Sequence, residues 1–258
     1  MNLERFKIAK ASEVERLRGY PPCQRLGRDA VALPSSPRPR FLVPRAEGER
    51  IRVIAEYKRA SPSRGVICEQ YSPEQIADLY TQGGADAISV LTEEVYFNGH
   101  LDFLQRVSAR TALPLLRKDF IFDEAQVRET AATPASALLL IVALTPEAPH
   151  LRELRVSAEA FGMTAVVEVF DERELDIART AGVSVIQVNN RNLETLAVDA
   201  SVTQRLVSQK LNGECWIAAS GYETRTQIDA LANYDAVLVG TALMASANPC
   251  EALRELTR

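Results

Sequence analysis

From residue 51 onward the chain alternates short apolar runs with longer stretches whose apolar residues recur at helical spacing. The runs are Ile51–Ala55, Ala85–Leu91, Leu113–Leu116, Ala137–Val142, Ala165–Phe170, Val183–Val188, Cys215–Ala219 and Ala236–Val239. Between them lie stretches such as Pro73-Glu-Gln-Ile-Ala-Asp-Leu-Tyr and Glu172-Arg-Glu-Leu-Asp-Ile-Ala-Arg. Successive side chains of a strand point to opposite faces, so an unbroken apolar run implies a sheet covered on both faces, as parallel sheets are. Strand–helix alternation then implies βαβ units. An open, doubly wound sheet shares that pattern. Eight units in roughly 200 residues, with no Gly-x-Gly-x-x-Gly after the first strand, favour an α/β fold of the closed (β/α)8 TIM barrel type over residues 51–258.

Residues 1–50 differ in texture. Lys7 to Arg18 read as a charge-rich helix, and residues 20–44 carry six of the thirteen prolines, as an irregular connector would. The expectation is an extra N-terminal helical segment packed on the barrel and covering one end.

Composition narrows the function. The 258 residues are 47% hydrophobic and 25% charged, ordinary for a globular protein. A net charge of −4 gives no electrostatic case for nucleic acid. No apolar run approaches the roughly 20 residues that span a bilayer, and Met-Asn-Leu-Glu-Arg-Phe-Lys at the start lacks a signal peptide's apolar stretch. The cysteines (Cys23, Cys68, Cys215, Cys250) match no metal spacing, and His100 and His150 are the only histidines. The expectation is a reduced cytoplasmic protein without metal, membrane or nucleic-acid partners.

In such barrels the chemistry sits at the carboxyl ends of the strands. Strand by strand, those ends carry Glu56 and Lys58, then Arg117-Lys118-Asp119, Glu168, Asn189-Asn190-Arg191, Ser220-Gly221 and Gly240-Thr241. Each has a structural reading. Glu56 and Lys58 share a strand face and form either an ion pair or a proton-transfer pair. Glu168 is either a core carboxylate satisfied by a lysine or a site residue, and Lys118 beside Asp119 is either a surface pair or a site residue. Leu139 and Phe170 read as barrel packing. Two lysines and two glutamates converging on one rim favour the functional readings. Small residues after the last two strands let backbone N–H groups approach an anion, so a sugar phosphate is the leading ligand class.

Four motifs carry a resemblance: Ile-Ala-Glu-Tyr-Lys-Arg-Ala-Ser-Pro-Ser (54–63), Ile-Ser-Val-Leu-Thr-Glu-Glu-Val-Tyr-Phe-Asn-Gly (88–99), Leu-Arg-Lys-Asp-Phe-Ile (116–121) and Val-Asn-Asn-Arg-Asn-Leu-Glu-Thr-Leu (188–196). The chain resembles indole-3-glycerol phosphate synthases, barrel enzymes of tryptophan biosynthesis. The resemblance implies ring closure of 1-(2-carboxyphenylamino)-1-deoxyribulose 5-phosphate with loss of carbon dioxide and water, without a cofactor. It makes Lys118 the principal acid and Lys58 the lysine that meets the substrate carboxylate. Glu56 and Glu168 become their acidic partners. Asn189 and Arg191 match substrate-orienting positions, and Ser61, Ser220, Gly221, Gly240 and Thr241 match a phosphate cradle. Phe97, Phe120 and Leu139 match the apolar wall around the anthranilate ring. Other tryptophan-pathway enzymes are the implied partners.

The chain departs from the family at strand 7, where Ala219 stands in place of the usual glutamate before Ser-Gly. Glu223, four residues later, is expected in the following helix and out of reach. The strand 4 entry Thr133-Pro134-Ala135-Ser136 also differs from the family's Gly-Ala-Asp, as a loop variation on the stability face. Ala219 alone motivates the alternative, a non-catalytic or substrate-shifted phosphosugar-binding relative.

Overall fold

The computed structural model describes residues 3–19 and 37–258. Eight strands form the barrel: β1 (Arg52–Tyr57), β2 (Ala87–Leu91), β3 (Leu115–Ile121), β4 (Ala137–Ile141), β5 (Thr164–Val169), β6 (Val185–Asn189), β7 (Cys215–Ala219) and β8 (Ala236–Val239). Neighbours in sequence pair in parallel, and β1 closes the ring by pairing with both β2 and β8. Helix α1 (Glu4–Arg18) precedes the barrel. The barrel's own helices are α2 (Pro73–Gly83), α3 (Asp102–Ser108), α4 (Glu124–Ala131), α5 (Ala148–Ala160), α6 (Glu172–Thr180), α7 (Ser201–Leu206), α8 (Arg225–Asp229), α9 (Thr241–Met244) and α10 (Pro249–Thr257).

Local sequence sets the helix starts. Ser72, Asp123 and Thr224 each accept a backbone N–H at the start of α2, α4 and α8, and a glutamine three residues on returns the bond to the cap's own N–H. These reciprocal bonds satisfy amides that would otherwise lack partners.

The unbroken apolar runs serve two cores. Val53, Ala55 and Tyr57 of β1 pack outward with Ile76 and Tyr80 of α2, whereas Ile54 points into the barrel with Leu116, Val166, Ile217 and Leu238. By the same alternation Glu56 and Lys58 follow Ile54 to the inside.

β3 extends further than its apolar run. Leu116 and Phe120 join the interior cluster while Leu115 and Ile121 join the outer one, so Lys118 lies within the strand and faces inward. The strand continues through Arg117 and Asp119 because their outward charges are paired. Arg117 Nη2 donates to Asp119 Oδ2 at 3.0 Å, and its Nη1 donates to Glu129 at 3.1 Å and to Thr130 at 2.9 Å on α4.

The described N-terminal residues touch both ends of the barrel. At the carboxyl end α1 packs on α4 and β3, with Phe6 and Lys10 buried. At the other end Phe41 and Leu42 join the interior cluster, and the Arg45 backbone N–H donates to Asp235 at 2.9 Å. Arg38 donates to the carbonyls of Ala135 at 2.7 Å and Phe161 at 3.1 Å, binding the divergent strand 4 entry at this stability face. The N-terminal residues thus reach both ends of the barrel, flanking the carboxyl end and joining the interior cluster at the other. Most of the proline-rich connector, with Cys23, falls on residues 20–36, outside the described residues. No helix among the described residues is long and apolar enough to cross a membrane.

Candidate active site

A cleft of about 330 Å³ opens at the carboxyl ends of the strands. It brings together Glu56, Lys58, Ser61, Phe97, Lys118, Phe120, Leu139, Glu168, Asn189, Arg191, Ser220, Gly221, Gly240 and Thr241, whereas Arg117 and Asn190, also at the strand ends, lie outside its lining.

On β1, Lys58 Nζ donates to Glu56 Oε1 at 2.7 Å. Glu56 is 3% exposed. Burial pushes its carboxyl up, but the charges of Lys58 and Lys118, the Lys58 hydrogen bond and Arg191 outweigh burial and hold it below the usual carboxylate range. The Glu56–Lys58 pair is thus ion-paired and lines the cleft at once. Lys118 enters from β3 and has no carboxylate within ion-pair distance among the described residues. Gly240 makes room for this group: a Cβ there would overlap Glu56 Oε1.

Glu168 on β5 sits in register with Gln187 on β6, and Gln187 Nε2 donates to Glu168 Oε2 at 2.5 Å. Asn189 Oδ1 accepts the Arg191 backbone N–H at 2.9 Å, and Arg191 Nη1 donates to the Leu196 carbonyl at 2.8 Å. Burial and the nearby Arg64 guanidinium lower the pKa of Arg191, with Glu56 opposing. Two neighbouring cations in one cleft are a setting that an anion relieves. Ser220 and Gly221 both take left-handed backbone, with φ of 69° and 88°. Such a conformation is costly for the serine, a kind of strain concentrated at functional sites.

The apolar wall has a fourth member. Phe6 of α1 lines the cleft and stacks on Phe120 with centroids 4.1 Å apart, while Phe97 lies 6.1 Å from Phe120. Phe97 is held by Glu93, whose carboxylate accepts the backbone N–H groups of Val95, Tyr96 and Phe97 at 2.9, 2.7 and 3.2 Å. Phe6, Arg64, Glu93 and Gln187 were not singled out from the sequence. Glu93 lay inside a quoted motif, but its partners are backbone amides, which leave no sequence pattern.

Ala219 points inward from β7, in register with Asn189, and offers no polar atom. Glu223 differs from expectation: it lies in the loop before α8, exposed, and lines the cleft. Among the described residues no group of three or more His, Cys, Asp or Glu side chains could hold a metal ion.

The family model for indole-3-glycerol phosphate synthase matches residues 3–256. A relative of that name from Dehalococcoides mccartyi is 41% identical over 99% of this chain and 100% of its own length. One from Chloroherpeton thalassium is 45% identical over 78% of each chain, and one from Mycolicibacterium smegmatis is 46% identical over 80% of this chain and 76% of its own. Among solved structures, 3-hexulose-6-phosphate synthase from Salmonella typhimurium superimposes with a TM-score of 0.62 at 14% identity, covering 80% of this chain and 97% of that one. That likeness is one of fold.

Proposed function

The chain belongs to the indole-3-glycerol phosphate synthase family, and from that premise we propose how its cleft divides the work of the reaction. The enzyme is a carboxy-lyase of tryptophan biosynthesis, converting 1-(2-carboxyphenylamino)-1-deoxyribulose 5-phosphate into indole-3-glycerol phosphate, carbon dioxide and water. The observation that supports the division is the convergence of Lys58, Lys118, Glu56 and Glu168 in one cleft, with Lys118 free of a carboxylate partner among the described residues.

The ring carbon bearing the carboxylate attacks the ribulose carbonyl. Lys118 gives that oxygen a proton, so the charge developing in the transition state is neutralised as it forms. Lys58, steered by Glu56, meets the anthranilate carboxylate. When carbon dioxide leaves, its bonding electrons return to the ring. The new hydroxyl then leaves as water after protonation by a lysine, and Glu168 accepts the proton lost from the neighbouring CH2, whose C–H electrons form the new ring double bond while the ring N–H is kept. Phe97, Phe120 and Leu139 clasp the anthranilate ring. Ser61, Ser220, Gly221, Gly240 and Thr241 cradle the phosphate through backbone N–H groups and hydroxyls, and Asn189 and Arg191 orient the chain between. No cofactor takes part in these steps. The enzyme works in the cytoplasm, on a substrate supplied by earlier enzymes of the same pathway.

A silenced or substrate-shifted relative is the second reading, favoured by Ala219 alone. Turnover of purified protein with the carboxyphenylamino substrate, followed by indole fluorescence, separates the two. Robust turnover is expected; measurable binding without turnover supports the second reading.

A further inference from the structure

Resting on that reading, we infer that Gln187 positions the substrate: it holds Glu168 with its amide N–H and accepts the substrate's anilino N–H with its carbonyl. Gln187 is wholly buried, lines the cleft, and is in register with Glu168. A carboxylate only accepts hydrogen bonds, so the amide nitrogen must face Glu168 Oε2 and the carbonyl Oε1 must face away. That Oε1 is buried and has no hydrogen-bond partner among the described residues. An acceptor left without a donor inside a protein is costly, and a ligand that brings a donor recovers the loss.

Position narrows the donor. Gln187 on β6 lies between the aromatic side of the cleft, built from β3 and β4 with Phe120 and Leu139, and the small residues that follow β7 and β8. A substrate with its ring at the first and its phosphate at the second places its anilino nitrogen and ribulose carbonyl at the middle. The nitrogen carries the one N–H there. Ala219, on the neighbouring inward face two residues beyond the register partner of Gln187, supplies no acceptor in its place. A neutral amide can hold the N–H without taking its proton, which suits a hydrogen that the indole product keeps and leaves Glu168 free to accept the proton of the neighbouring CH2.

The test uses two unreactive analogues in which the ribulose ketone is reduced to an alcohol, one with the anilino N–H and one with an ether oxygen there. Wild-type protein should bind the N–H analogue about tenfold more tightly. In Gln187→Met, close in shape but without polar atoms, the two should bind alike, while inorganic phosphate binding stays as in wild type. Gln187→Glu keeps an acceptor oxygen and should keep the preference. An undiminished preference in Gln187→Met, or a preference lost in Gln187→Glu while phosphate still binds, overturns the role. Wild-type turnover is measured alongside. A wild type that turns over while Gln187→Met keeps the preference sinks the role of Gln187 alone; a wild type without turnover sinks the assigned activity instead.

Discussion

Lys10, on the helix that precedes the barrel, donates a buried hydrogen bond of 3.1 Å to Asp119, the sequence neighbour of Lys118. Asp119 also accepts from Thr92 Oγ1 at 2.6 Å and Arg117 at 3.0 Å. Burial pushes the Asp119 carboxyl up, but the Arg117 and Lys10 charges and these hydrogen bonds hold it low. The same helix carries Phe6 into the cleft wall. Two ion pairs therefore join the N-terminal segment to the strand that carries Lys118, the Lys10–Asp119 pair and the Glu13–Arg117 pair at 3.5 Å.

Lys10→Met removes one partner and leaves Asp119 to Arg117. Breaking a buried pair from one side costs about 3 kcal/mol. The expected result is a lower urea midpoint together with a KM raised more than kcat is lowered, because Phe6 loses its anchor while Lys118 keeps its strand. An unchanged KM would show that the helix stays docked without the pair.

Lys118→Ala should lower kcat by about 10³ to 10⁴ and leave inorganic phosphate binding nearly unchanged, since a positioned general acid contributes on that scale. Full turnover in this variant would remove the assignment of the principal acid.

How much of this was legible in the sequence depends on which face a residue uses. The inward alternation Ile54, Glu56, Lys58 follows from period two and could be read directly. The length of β3 could not, because Arg117 and Asp119 look like a strand's polar end and their partners come from α1, α4 and Thr92 after β2, all distant in sequence or without pattern. Phe6 was illegible for a related reason: its place on Phe120 is fixed by the docking of a helix more than a hundred residues away in sequence. Gln187 was hidden within the apolar run Val183–Val188, where it and Ser184, three residues apart, follow no strand period.

Gly240 reads from the sequence as a phosphate-cradle residue, yet its nearest demand is steric. Gly240→Ala would drive a Cβ into Glu56 Oε1 and displace the carboxylate from Lys58. The expected loss is at least about tenfold in kcat/KM, with the effect in kcat as well as KM, as for misplaced catalytic groups. A change confined to KM would mean that only phosphate binding is disturbed.

Glu174 on α6 lies behind the site, its Oε2 accepting the Phe170 backbone N–H at 2.8 Å. Burial pushes its carboxyl up to about 7 from 4.5, the Phe170 bond opposes, and the Asp171 and Glu168 charges add to the rise. In the unfolded chain the group titrates near its ordinary value. Below that value both states are protonated and the native state carries no penalty. As pH rises from there through about 7, the unfolded state ionises first, and folding then requires either a retained proton or a buried charge. Stability is thus lost across that window. The full shift converts to a little over 3 kcal/mol, and screening of a partly exposed group reduces it to about 2 kcal/mol. Glu174→Gln keeps the acceptor for Phe170 and removes the titration. Compared with wild type, the variant should therefore gain about 2 kcal/mol between pH 5 and pH 8 in urea unfolding. An equal difference between the two proteins at both pH values would show that Glu174 titrates alike in the folded and unfolded chains.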